Sequence, residues 1–164
     1  MTHYDQPPEE VHEIINKLID DHYPDLKEAA VKIDVLFAFN DKAFAVKCGG
    51  YPALAVVKIN SLKARFKGQG DAEIIIDGDG YEAMSTEQRE AVCDHELHHI
   101  LVQRDKEQNI KRDDLDRPKF RMKKHDYQLG WFREIAERHG QNSPEVYQAK
   151  LLWNNDGKTF FPQV

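Results

Sequence analysis

His95-Glu96-Leu97-His98-His99 sets two histidines four residues apart, with a glutamate directly after the first. On an α-helix, positions i and i+4 share a face, so His95 and His99 can offer their imidazoles to one cation at about 2.0–2.1 Å. Glu96 then stands beside the first ligand, where it can take a proton from metal-activated water without joining the ligand set. The same carboxyl can later deliver a proton to a leaving amine. The H-E-x-x-H pattern therefore points to metal-assisted hydrolysis, with Zn2+ as the default ion. His98 projects away from the His95–His99 face and is left out of the ligands. An internal contrast is His12-Glu13-Ile14-Ile15-Asn16, which starts the same way but lacks the second histidine; nothing is assigned to it.

A hydrolytic zinc site ordinarily uses three protein ligands and keeps one position open. The downstream candidates are His125, Asp126, Glu134, Glu137 and His139. His125 is preferred, because it opens the segment HDYQLGWFREIAERHG and can face the motif while Trp131, Phe132 and Ile135 pack below. Asp126 serves either as a carboxylate orienting an imidazole from behind or as an acid at a helix N-terminus. His139 precedes Gly140, where a histidine complements the negative end of a helix.

These residues need elements to hold them. Ser85-Thr86-Glu87-Gln88 fits a capping box, so a helix is expected from Ser85 to about Gln103, with Val92, Cys93 and Ile100 on its apolar side. Upstream, Val11, Ile14, Ile15, Leu18 and Ile19 recur at helical spacing over Glu9–Asp20, and Pro24 ends that helix near His22-Tyr23. Alternation over Val31–Phe39 reads as a strand. Gly49-Gly50 turns between Lys42–Cys48 and Leu54–Ile59, and Glu73–Asp77 is a further strand. Arg104–Lys124 is expected to be a long polar loop with a short strand at Lys119–Met122. Helices follow over about Asp126–His139 and Ser143–Trp153, and no internal repeat is evident. Helix, clustered strands, then helices give one α+β domain over residues 1–164 with a mainly antiparallel sheet.

DHELHHI followed by HDYQLGWFREIAERHG resembles the Putative phage metallopeptidase family, whose pattern is D-H-E-L-x-H and later H-D, an aromatic and a glycine-ended helix. DAEIIIDGDGYEAMSTEQREAV is similar to the strand and linker those proteins carry before the motif helix. More distantly, the chain resembles SprT-like zinc proteases, whose third ligand is also a histidine opening a later helix. The resemblance covers about Ile74–Gly140 and implies a zincin-like metallopeptidase with His95, His99 and His125 as ligands and Glu96 as the catalytic carboxylate. It also implies that Glu73–Asp77 is either a sheet edge that pairs with extended substrate or an interior strand. The chain lacks the cysteine zinc ribbon of SprT-like enzymes and the third histidine and methionine turn of metzincins.

Composition sets the remaining bounds. Of 164 residues, 40% are hydrophobic and 32% charged, and the net charge of -6 gives no support to binding nucleic acid across the whole surface. Lys58, Lys63, Arg65 and Lys67 nevertheless lie in one acid-free run, and Phe66 and Phe120 interleave with the basic stretches as stacking residues would. Nucleic acid is therefore a conceivable partner that is not expected; a protein or peptide substrate is. Cys48 and Cys93 form no spaced pair, and no apolar run approaches a membrane span. A cytoplasmic protein is expected, in the host cytoplasm if phage-encoded. Two other functions share the motif: a non-enzymatic, metal-stabilised regulator that binds a phage or host partner, and a SprT-like nucleic-acid-associated protease.

Overall fold

Isoleucines 74 and 76 have no exposed surface, and the strand that carries them is buried on both faces. That is the signature of a strand with neighbours on either side. In the computed structural model, which describes residues 1–125, 133–143, 146, 149 and 150, β6 (Ala72–Asp77) is indeed interior. A four-stranded sheet runs β1 (Thr2–Asp5), β2 (Ile33–Asn40), β6, β5 (Ala55–Ile59). β2 pairs parallel with β6, while β1–β2 and β5–β6 are antiparallel. The alternative that made Glu73–Asp77 a substrate-binding edge is therefore corrected: β5 is the edge on that side. The strand at Thr2–Asp5 carries no apolar alternation and was not expected.

One face of the sheet is closed by α1 (Glu9–His22), α2 (Pro24–Glu28) and α5 (Thr86–His98). Val11, Ile15 and Leu18 of α1 meet Ile74 and Ile76, with Cys93 and Leu97 of α5, in one core. Each such side chain contributes roughly 1.5–3 kcal/mol by leaving water. Short pieces fill the connections. β3 (Lys47–Cys48) and β4 (Tyr51–Pro52) form a hairpin across Gly49 and Gly50, whose φ values of 57° and 86° need glycine. The strand expected from Lys42 is thus only the pair at its end. α3 (Leu62–Phe66) and α4 (Gly78–Glu82) are two short helices that were not expected; Ser61 and Asp77 cap them through Ala64 N–H and Gly80 N–H. A Cβ on Gly78 would sit 2.2 Å from the Phe39 ring, so a larger residue there requires that ring to move.

The capping box of α5 is present, with the Ser85 hydroxyl accepting from Gln88 N–H and the Gln88 side chain accepting from Ser85 N–H. The helix ends at His98 rather than Gln103. Ile100–Val102 is instead strand β7, antiparallel to β8 (Phe120–Met122), because an Ile-Leu-Val run with a buried first residue pairs better than it coils.

Between β7 and β8 the expected loop is a tandem repeat. Arg104–Lys111 (RDKEQNIK) and Arg112–Lys119 (RDDLDRPK) fold as two copies of one turn. In each, an aspartate carboxylate oxygen accepts two backbone N–H groups: Asp105 from Glu107 and Asn109, Asp113 from Leu115 and Arg117, all at 2.8–3.0 Å. In each, the arginine donates to the carbonyl of the residue with positive φ, Arg104 to Gln108 and Arg112 to Asp116, both at 2.8 Å. The bases close on one another: Lys111 N–H donates to Gln103 O, Lys119 N–H to Lys111 O, and Gln103 N–H to Lys119 O. The first turn is held to α2 by Arg104 bridging Asp25 and Glu28, and the second by Arg65 Nη2 donating to Pro118 O.

By contact the chain divides into two compact units, Met1–Lys124 and His125–Val164. In the second, α6 (Arg133–His139) ends at Gly140 with φ 51°, as the glycine predicts, and a 3₁₀ turn spans Gly140–Asn142. The Ser143 hydroxyl then accepts from Val146 N–H, the mark of a helix start. The expected helical residues 126–132 and most of 143–153 lie outside the described residues.

Candidate metal centre

α5 presents two faces. Cys93, Glu96 and Leu97 are buried, whereas His95 is exposed and His99 half-buried. Between Ser85 and Leu97 the apolar side is fixed by packing on α1 and β5, which aims His95 and His99 the other way. Their rings stand 5.1 Å apart, edge to face, as one helical turn requires.

His99 is oriented from behind. Its Nδ1 lies 2.7 Å from the carbonyl oxygen of Lys123. A carbonyl only accepts, so Nδ1 carries the proton and Nε2 keeps its lone pair for a cation. Lys123 N–H also donates to His99 O at 2.7 Å, so the helix end and the β8 exit form a hydrogen-bonded pair. His125 follows two residues later, carried to the motif by the chain itself. One ring nitrogen from each of His95, His99 and His125 lies within 4.8 Å of the other two. Tetrahedral zinc–imidazole bonds of about 2.0–2.1 Å place donors roughly 3.4 Å apart, which small side-chain rotations reach from here. The donor set fits a metal ion. Among the described residues no other group of three histidine, cysteine or carboxylate side chains comes together in this way.

Glu96 is only 5% exposed. Burial pushes its carboxyl above the usual range, opposed by the His99 imidazole and by the backbone N–H of Val57. Val57 lies on β5. In the β5–β6 register, Asp77 N–H donates to Leu54 O and Asn60 N–H to Asp71 O. Residues 54, 56, 58 and 60 therefore bond inward, and Ala55, Val57 and Ile59 turn their N–H and C=O groups to the open edge. The carboxylate and the edge strand face each other.

The remaining residues are placed as follows. His98 sits on another face, with Lys123 Nζ 2.8 Å from its Nε2 and the Tyr23 hydroxyl 3.5 Å from its Nδ1. Tyr23 donates to the Asp94 carboxylate at 2.5 Å. Cys93 is fully buried, and burial followed by the charge of Glu96 pushes its thiol to about 12, so it stays protonated. Glu134, Glu137 and His139 lie on α6, and Asp126 lies outside the described residues. Two groups that sequence reasoning did not name are the Lys123 carbonyl and the Val57 N–H. Both are backbone atoms, which residue types do not announce.

A family model described as Putative phage metallopeptidase matches residues 2–154. No curated protein and no solved structure matches the chain. No helix among the described residues is long and apolar enough to cross a membrane.

Proposed function

The chain belongs to the Putative phage metallopeptidase family, and we propose that it is a zinc-dependent peptidase with a zincin-like active site. The observation that carries the reading is the convergence of His95, His99 and His125 beside the buried carboxyl of Glu96. The three imidazoles would hold the zinc ion, which when bound would supply Lewis acidity towards water and a peptide carbonyl. His95 and His99 bind from one helical face, and His125 completes the set from the chain after β8. The Lys123 carbonyl keeps His99 in the tautomer that presents Nε2.

Glu96 is the general base that accepts the proton of the attacking water and the acid that passes it to the departing amine. The open edge of β5 receives the substrate: the backbone groups of Ala55 and Ile59 pair with an extended peptide and lay its scissile bond beside Glu96. A protein or peptide in the host cytoplasm is the substrate this arrangement serves.

Glu96→Gln tests the mechanism. The variant is expected to keep its metal and lose hydrolysis of a broad peptide library by about 10³-fold or more. Undiminished cleavage would overturn the assignment. Folding that depends on metal, with no cleavage by the unmutated chain, would favour a metal-stabilised binding protein instead.

A further inference from the structure

Exposed apolar side chains are scattered over most surfaces, but three of them converge here. Leu62 and Phe66 of α3 are 56% and 77% exposed, and Leu115 at the tip of the second tandem turn is 59% exposed. They line one hollow of about 370 Å³, with Lys63, Arg117 and Lys119 at its walls. That volume accepts one large side chain. A clustered apolar opening with a polar rim marks an interaction site more than a solubility accident.

The hollow is built on a firm base. Asp113 is turned inward, bonded to Leu115 N–H, Arg117 N–H and the Arg117 guanidinium, so the turn that carries Leu115 is closed on itself. Arg65, one residue before Phe66, reaches Pro118 O and Asp71, which pins α3 to the same turn. The exposed residues are thus presented by two elements tied together beneath them.

Charge decides the occupant. Five cations of the basic stretches are paired with carboxylates: Lys58 with Glu73, Arg65 with Asp71, Arg104 with Asp25 and Glu28, Arg112 with Asp116, and Arg117 with Asp113. Phe120 is buried and unavailable for stacking. A single-stranded nucleic acid is held by successive bases stacking on aromatic rings, and the hollow offers one ring, Phe66, set with two leucines. At the hollow itself, Lys63 and Lys119 stand against the single outward carboxylate of Asp114. The rim is locally positive on a chain of net charge -6. We propose that this hollow is a docking site for an extended segment of another protein, in which an aromatic or large aliphatic anchor is flanked by aspartates and glutamates. Phe66, Leu62 and Leu115 hold the anchor, and Lys63 and Lys119 set the flanking charge. The site uses no residue of the metal centre and stands whether or not the chain hydrolyses peptides.

The test is fluorescence anisotropy on the full-length chain with four labelled probes. One is a twelve-residue peptide with a central tryptophan among aspartates and glutamates. The others are its lysine-flanked counterpart, its alanine-centred counterpart and a twelve-nucleotide single-stranded DNA. The acidic tryptophan peptide is expected to bind about tenfold tighter than each of the others. Phe66→Ser and Leu115→Ser are each expected to weaken it about tenfold, and Lys63→Glu about threefold. Both serines replace exposed side chains, and an unchanged urea-unfolding midpoint would show that the fold is intact. Equal binding of all probes, binding that survives both serine substitutions, preference for DNA, or self-association of the chain lost with Phe66→Ser would each overturn the proposal. Loss of hydrolysis in Glu96→Gln leaves this binding untouched, so the two readings fail separately.

Discussion

The motif helix and the tandem turns that follow it are held by opposite means. α5 is fixed by side chains: Cys93 and Leu97 in the core, a serine–glutamine box at its start, and histidines on the face left over. The two turns bury little apolar surface. They rest on aspartates that accept backbone N–H groups, arginines that reach carbonyls, and a ring of three backbone bonds among Gln103, Lys111 and Lys119. The first arrangement writes itself into residue spacing. The second asks only for Arg, Asp and Lys at matching places in each eight-residue copy and leaves the rest of each copy unconstrained. The candidate ligands His95 and His99 sit on and at the end of the element whose side chains are positioned by packing, and the turns deliver the chain back to it at Lys123.

Breaking the first means should cost most. Leu97→Ala removes a fully buried side chain beside Glu96. It is expected to lower stability by about 2–5 kcal/mol, measured by urea unfolding of the metal-free chain. Gly78→Ala forces a Cβ against the Phe39 ring and is expected to cost about 1–3 kcal/mol by the same measurement. Ser85→Ala, which strips the cap from α5, is expected to cost about 1 kcal/mol and to leave the turns unaffected. A larger loss from Ser85→Ala than from Leu97→Ala would mean that packing does not position the helix.

The turns should respond to acid instead. Backbone N–H groups of Asn109 and Glu107 hold the Asp105 carboxyl below its usual range, with the Lys111 charge adding to them. At Asp113 burial pulls upward, but N–H groups of Arg117 and Leu115 and the Arg117 guanidinium outweigh it. Carboxyls depressed in the folded chain contribute stability above the unfolded pKa of about 3.9, and that contribution is lost as pH falls through the lower folded value. NMR amide shifts of Glu107, Asn109, Leu115 and Arg117 should therefore move together below about pH 4. Movement of one set without the other would show that the two copies are not equivalent.

This contrast also explains what the sequence disclosed. The helix bearing His95, Glu96 and His99, its cap, the Gly49–Gly50 hairpin and the strand at Glu73–Asp77 all follow from periodicity and turn chemistry. What stayed hidden depends on backbone atoms or on long-range partners. Which strand forms the edge is a matter of sheet order, so residue types alone left Glu73–Asp77 as either edge or interior strand, and the edge falls to β5. Ile100–Val102 has the composition of either a helix end or a strand, and only β8, lying beyond both turns, decides it. The repeat itself shares too few letters to be seen before its hydrogen bonds are.

The central claim is that His125 completes a zinc site begun by His95 and His99. Zinc per chain, measured by atomic emission after exhaustive dialysis of the purified protein and of His125→Ala, tests it most directly. The account predicts about one zinc per chain in the unmutated protein and a loss of most of it in the variant. An unmutated protein that retains no zinc, or a variant that retains as much, would contradict it.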